Sequence, residues 1–507
     1  MMSRSPLILL VLVYACANAL LAQDVVRYQD FGAKGDGKTD DFEALIKAHE
    51  HANEKGLPVR AEDGATYYIG GAAKTIPVET STNFGKAGFI IDDVGIEDRR
   101  KHVFEIRSKQ RPVQIKGIDS LKRGQTSIQA DLPGPCLITV RDDSTKRFIR
   151  RGLNPNSGSS QTDVFLVDGR GRVDPRTPVI WDFKQLSSIE ARPLDEEVLS
   201  VKGGHFTTIA NQAKSEYNYH SRGIAVRRSN VVIEGLEHHV KGEGETGAPY
   251  RGFIDISGCA NVLVRDCILT GHKTYRTMGR ANKPVSMGTY DMHINKSVNV
   301  TFKNVTQTND IMDRKYWGIM GSNFCKNLTY DNCKLSRFDA HQGVTNATIK
   351  DSILGYMALR LTGFGTFTIE NSTVQSRAFI VLRPDYGSTW NGDIVIRNCR
   401  YIPTSRKPAI IEATNDGKHD FGYTCHLPTH IHIDGLKVED GKLAKDYKGL
   451  AIFNNPDRGY KEGAELPHPP VITKEVVHRG VVSQSGKPLR LSDNMAMFKG
   501  VKVTEAK

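Results

Sequence analysis

A chain of 507 residues that is 39% hydrophobic and 25% charged, with no low-complexity tract, buries a large core and excludes a disordered or fibrous protein. A net charge of +12 points to an acidic partner, and an exported basic protein meets acidic polysaccharide more often than nucleic acid. Beyond residue 22 no apolar run is long enough to cross a bilayer as a helix.

Residues 1–22 carry Arg4, an apolar run from Leu7 to Val13 and then small residues. This is the pattern of a signal peptide cleaved after Ala19 or Ala22, which predicts a secreted or periplasmic protein. Lipoprotein anchoring at Cys16 is the weaker reading, because "VYAC" puts Tyr14 where a small residue is wanted.

Next comes "DFGAKGDGKTDDFEALIKAHEHAN". Asp36, Lys38 and Asp40 imitate the start of a calcium loop. The sixth position is Asp41 where that loop needs Gly, and the twelfth is Lys47 where it needs Glu. No Gly-Lys-Ser/Thr ending follows for a phosphate cradle. The spacing instead predicts an extended piece (Val25, Val26, Tyr28, Phe31), a glycine turn, and a helix over 39–55. Thr39 or Asp40 would cap it, Asp41 and Glu43 lie in its first turn, and Gly56 ends it. Phe42, Leu45, Ile46 and His49 would face an apolar surface.

That surface is supplied by a repeat: "SNVVIEGL", "ANVLVRDC", "VNVTFKNV", "KNLTYDNC", "TNATIKDS", "GTFTIENS", "GDIVIRNC". The leading apolar positions are Val231, Val262, Val300, Leu328, Ala347, Phe367 and Ile394, with weaker copies at Val113 and Ile431. The shortest intervals, 19 and 20 residues, match one coil of a parallel β-helix, and longer ones add loops. Asn230, Asn261, Asn299, Asn327 and Asn346 precede the strand, where Asn tolerates a left-handed corner and its amide can bond along the stack. The Asn-x-Ser/Thr sequons among them follow from that corner. Cys259 and Cys325 share one column, Cys267 and Cys333 another, each two coils apart and too distant for a disulfide; buried thiols are expected. Residues 112–220, with "CLITV", "DVFLVDG" and "TPVIWDF", are expected to continue the early coils irregularly, and the pattern fades beyond 441.

With "DFGAKGDGKTDD", the helix and these coils in view, the chain resembles the pectate-lyase-like, right-handed parallel β-helix superfamily. The resemblance implies an all-β, single-stranded solenoid with an N-terminal capping helix and long loops forming a cleft. It divides the chain into a leader (1–22), an N-terminal strand, helix and first coils (23–110), a catalytic β-helix (111–440) and a C-terminal extension or cap (441–507). Members include polysaccharide lyases, glycoside hydrolases, uronate epimerases and phage tailspikes. The Asn-Thr-Asp, Asp-Asp, Gly-His-Gly and Arg-Ile-Lys motifs of polygalacturonase-type hydrolases are not met in full by "QTND", "GHKTY" or "AHQG". Together with the basic charge, the resemblance implies a lyase acting on a glycosaminoglycan such as chondroitin or dermatan sulfate.

Three insertions leave the coils at one corner: His238–Gly252, Thr270–Gly288 and Thr306–Tyr316. Arg383–Gly392 leaves from another corner and would form an opposing wall. Eliminating a uronate needs its carboxylate neutralised, a base for the adjacent carbon acid, and an acid for the departing oxygen. His341 in "SRFDAHQG" is the expected base. Tyr316, Tyr356 or Tyr250 could supply the acid; Arg337, Arg360 and Arg383 are candidate clamps, with Asn309, His272 and Arg251 as further substrate contacts. Calcium is the alternative neutraliser, with Asp310, Asp313, Glu243 and Glu245 as oxygen ligands. His238 and His239 lack partners for a transition metal. A hydrolase would instead pair two of Asp310, Asp313 and Asp339. An epimerase shares the proton abstraction, and a non-catalytic carbohydrate binder would show aromatic platforms, for which three Trp are few.

Overall fold

The computed structural model describes residues 24–317, 320–461, 465 and 467–506; the leader and Cys16 lie outside them. Alternation fixes the coils. In Val231–Glu234, Val231 and Ile233 point into the core while Val232 and Glu234 face outward. Parallel pairing then stacks Val231, Val262, Val300, Leu328, Ala347, Phe367, Ile394, Ile431, Val476 and Val503 in one column. Two further columns complete each coil. The second runs through Glu237, Ile268, Thr306, Lys334, Ile353 and Thr373. The third runs through Phe104, Ile224, Ile254, Met292 and Met320, then through Leu359 and Ile380. The molecule is thus nearly all-β, built from stacked parallel strands around one continuous core.

The corners are made by left-handed residues. Asn230, Asn261, Asn299, Asn327 and Asn346 have φ of 56, 58, 56, 55 and 58°. Each amide donates to the next along the stack: Asn261 to Asn230 (2.9 Å), Asn299 to Asn261 (3.0 Å) and Asn327 to Asn299 (2.9 Å). A second ladder joins Asn332 to Asn304 to Asp266, and Asn398 to Asn371 to Asp351. All seven described cysteines are buried and unbridged.

Helix α1 (Phe42–Lys55) packs Phe42, Leu45, Ala48, His49 and Ala52 onto the N-terminal end of that core. Its cap falls one or two residues later than the Thr39 or Asp40 expected from sequence. Asp41 is its N-cap, yet the Asp41 carboxylate turns back to accept from Lys34 and Gly35 N–H, while Asp40 receives Phe42 N–H. Gly56 (φ 69°) closes the helix.

Two expectations fail. Residues 112–198 do not continue the coils: residues 82–92 pair directly with 201–209, and 104–107 with 224–227. The intervening insertion makes its own antiparallel sheet, Val113–Gln114, Cys136–Arg147, Ser159–Val167 and Ser188–Pro193, over a separate core including Ile138, Val140, Phe165 and Phe183. Val113, read as a weak coil copy, sits on an edge strand and is 43% exposed. Beyond 441 the coils go on, through Ala451–Phe453, Glu475–Ser483 and Lys502–Glu505. The insertion docks on the coils through the buried pair Lys326 Nζ–Asp163 Oδ1 (2.8 Å) and through Leu137, Val164 and Leu166 against Ala260 and Val298.

Candidate active site on the third face

The three long loops all leave between the second and third columns and lead into the third; the turn at Arg383 leaves after it. They border the outer side of the third face. In Lys334–Lys350, Leu335, Phe338 and Ala340 enter the core, and Arg337, Asp339 and His341 lie on the other side. The neighbouring coil aligns Arg360 with Asp339.

Asp339, fully buried, is gripped by Arg337 Nη2 and by Arg383 Nη1 (2.9 Å). Burial opposes its ionisation, but the two guanidiniums outweigh it and hold the carboxyl below its usual range. Arg383 also reaches Asp385 (2.8 Å), to which Arg150 of the insertion adds a second pair (2.9 Å). Arg360 pairs with no carboxylate among the described residues; burial first, then Arg337 and Arg383, push it down to about 10. Four guanidiniums thus face two carboxylates, Asp339 and Asp385. Arg337 lies under the rings of Trp317 (5.3 Å) and Tyr290 (5.8 Å).

Beside this cluster runs a chain of polar side chains. His341 Nδ1–H donates to Asn323 Oδ1 (2.8 Å), and Tyr386 O–H donates to His341 Nε2 (3.1 Å). Asn323 Nδ2 faces His293 Nε2 (3.3 Å), whose Nδ1–H donates to buried Asp255 (2.8 Å). Burial, aided by Arg383, pushes His341 down to about 3, so its imidazole is neutral at any working pH. Burial pushes Tyr386 up to about 12. A cavity of about 260 Å³ opens over this chain, lined by Tyr219, Arg251, Tyr290, His293, Asn323 and His341 among others.

The sequence candidates separate into two groups. His341, Arg337, Arg360 and Arg383 come together, with exposed Arg251 on the wall of the same cavity. The others build the walls. Tyr250 is buried, its hydroxyl accepting Asn211 N–H (2.8 Å), with its ring stacked on His272 (4.4 Å). Burial opposes the charge on His272, but Asp291 and Glu243 carry it up to about 9. His238 lies against Asp291 (2.8 Å). Asn309 Oδ1 accepts Gly271 N–H (2.6 Å), tying two loops together, and the Tyr356 hydroxyl donates to Tyr316 O. These contacts occupy Tyr250, Tyr356 and Asn309 in loop packing.

Among the described residues the four acidic side chains are not brought together as one cluster. Asp310 and Asp313 accept amides of their own turns, Met312 and Lys315; Glu243 accepts Lys273 N–H, and Glu245 meets Lys273 Nζ. Among the described residues no three His, Cys, Asp or Glu side chains gather to hold an ion.

Tyr386, Asn323, His293 and Asp255 were not singled out from sequence. Asp255, His293 and Asn323 do carry a signal, being polar residues on the outward side of the third column, next to buried Ile254, Ile294 and Ser322. Arg150 carries none, since it arrives from the insertion.

No protein-family model matches the chain, and no curated protein does. Among solved structures it is similar to the tailspike gp61 of Pseudomonas phage phi297 (14% identity, 95% of this chain and 84% of that one, TM-score 0.55). It is also similar to the tailspike gp49 of Pseudomonas phage LKA1 (14% identity, 94% and 84%, TM-score 0.51). Likeness at this identity shows the parallel β-helix type of fold and nothing further.

Proposed function

We propose that this chain, a single right-handed solenoid exported from the cell, cleaves a uronic-acid-containing acidic polysaccharide by β-elimination. The observation that carries the reading is a neutral, buried-edge imidazole, His341, beside an arginine cluster that its carboxylates do not balance. Arg251, on the cavity wall, receives the uronate carboxylate and draws charge off the carbon beside it, and Arg360, one coil beyond His341, meets an anionic group of the next sugar along the chain. His341 Nε2 takes the proton from that carbon when substrate displaces the Tyr386 hydroxyl, which holds that nitrogen in the free protein. The electron pair forms the new carbon–carbon double bond as the glycosidic C–O bond breaks. Tyr290 or Tyr219, on the cavity wall, gives its proton to the departing oxygen. The net charge of +12 favours a sulfated glycosaminoglycan such as chondroitin or dermatan sulfate among the uronate polymers. A hydrolase would need two free carboxylates flanking the bond. Asp339 is held by two arginines, and Asp310 and Asp313 share one turn, each accepting an amide of that turn.

The test is ultraviolet absorbance during incubation with chondroitin sulfate, dermatan sulfate, hyaluronan, alginate and pectate, each with and without EDTA. The expected result is a rising unsaturated-uronate signal that EDTA leaves unchanged and that His341→Ala abolishes. New reducing ends without absorbance would replace elimination by hydrolysis. A signal that EDTA removes would restore a metal as the neutraliser.

A further inference from the structure

The hairpin loop of the insertion, residues 148–158, touches both walls of the groove. At its base, Arg150 Nε lies 2.9 Å from Asp385 Oδ2, and Arg151 N–H donates to Asp385 O (3.1 Å). Phe148 is buried there among the rings of Phe324, Tyr386 and Tyr423. The loop's tip meets the opposite wall, the hairpin Arg276–Met278 and Pro284–Ser286 of the second long loop. Leu153 O accepts Ala281 N–H (3.3 Å), and Asn154 Oδ1 accepts Arg280 N–H (3.2 Å). The approach at Gly279 is so close that a Cβ there would stand 2.4 Å from Leu153 O. Arg150 is near enough to bias Tyr217, Tyr219 and His341. The loop therefore passes above the cavity that Tyr219 and His341 line. Its root is held by the buried Lys326–Asp163 pair and by Trp181 packed edge-on against Phe364 (4.8 Å).

We propose that this strap restricts the protein to polysaccharide chain ends: a polymer cannot be laid into the groove from the side and must enter end first. The proposal rests on the reading of the groove as a polysaccharide-cleaving site, and it fixes the position of attack. It also explains the glycine at 279, since any side chain there would lift the strap.

Two measurements test it. In the first, bonds cut and viscosity are followed together on whichever polymer of the panel is cleaved. End-wise attack gives short products from the earliest times, with viscosity falling in proportion to bonds cut. In Gly279→Val, with the strap displaced, viscosity loss per bond cut rises several-fold. Rapid viscosity loss by the unaltered protein overturns the proposal. The second needs no turnover, so it decides the strap even if no polymer of the panel is cleaved. Asn295→Cys on the cavity wall is alkylated with iodoacetamide, or with the same group tethered to the middle of a long dextran; the seven described thiols are buried. The strap admits the small reagent and excludes the tethered one, and Gly279→Val admits both. Equal labelling by both reagents without that change refutes it.

Discussion

Replacing Asn323 with Asp puts a carboxylate where an amide now bridges two histidines. In the wild type Asn323 lies 2.8 Å from His341 Nδ1 and 3.3 Å from His293 Nε2, and His341 is held down at about 3. A unit negative charge about 4 Å from the imidazolium charge, at an effective dielectric constant of about 20, favours protonation by about 4 kcal/mol. At about 1.4 kcal/mol for each pH unit this raises the His341 pKa by about three, to about 6. Because the base acts unprotonated, the acid limb of the rate–pH profile moves with it, and activity is lost below about pH 6 instead of about pH 3. The assay pairs the rate profile with NMR titration of ¹³C-labelled histidine, with His341→Gln to assign the resonance. A His341 pKa that rises by less than about one pH unit would refute the electrostatic argument. A pKa that rises while the acid limb stays in place would remove His341 as the base.

Asp339→Asn leaves Arg337 and Arg383 buried without the acid they share, at a cost of about 3–5 kcal/mol in chemical denaturation at pH 7. The folded pKa of Asp339 is depressed, so its contribution is complete above the unfolded value of about 3.9 and lost as pH falls through the folded one. The gap between variant and wild type should therefore close in acid, not in base. Arg360→Met removes a guanidinium crowded by Arg337 and Arg383, so stability should hold or rise while KM for the polyanion increases about tenfold, one charge-assisted bond. Unchanged KM would take Arg360 out of substrate binding. Asn261→Ala loses its amide bonds to Asn230 and Asn299 and strains a left-handed corner (φ 58°), costing about 1–2 kcal/mol. Asn261→Gly keeps the corner and should cost less than about 1 kcal/mol; the reverse order would refute the ladder's role.

What could be read from the sequence alone is what each coil specifies locally. An apolar alternation and an Asn that accepts a left-handed φ recur at every turn, so the register Val231–Val262–Val300–Leu328–Ala347–Phe367–Ile394 was visible without coordinates. The cap was visible for the same reason, since the helical spacing of Phe42, Leu45 and His49 is local. The second ladder, from Asp266 to Asn398, lay in the same quoted strings and could have been read the same way.

Only the tertiary structure decided the rest. "CLITV" reads as any buried strand, and its apolar pattern does not encode whether the partner runs parallel or antiparallel. So the insertion was misread as coils, and with it Arg150 and the strap were invisible. Tyr386, the tyrosine beside His341, was not singled out because it reaches it across 45 residues of chain, whereas Tyr250 and Tyr356 turn into the walls. The charge state of the cluster is collective as well. Burial makes His341 neutral, and it takes three separate strands and turns to place Arg337, Arg360 and Arg383 around one Asp339. Local propensity writes the coils, but the site is a sum over side chains that meet only when the coils are stacked and the insertion is docked on them.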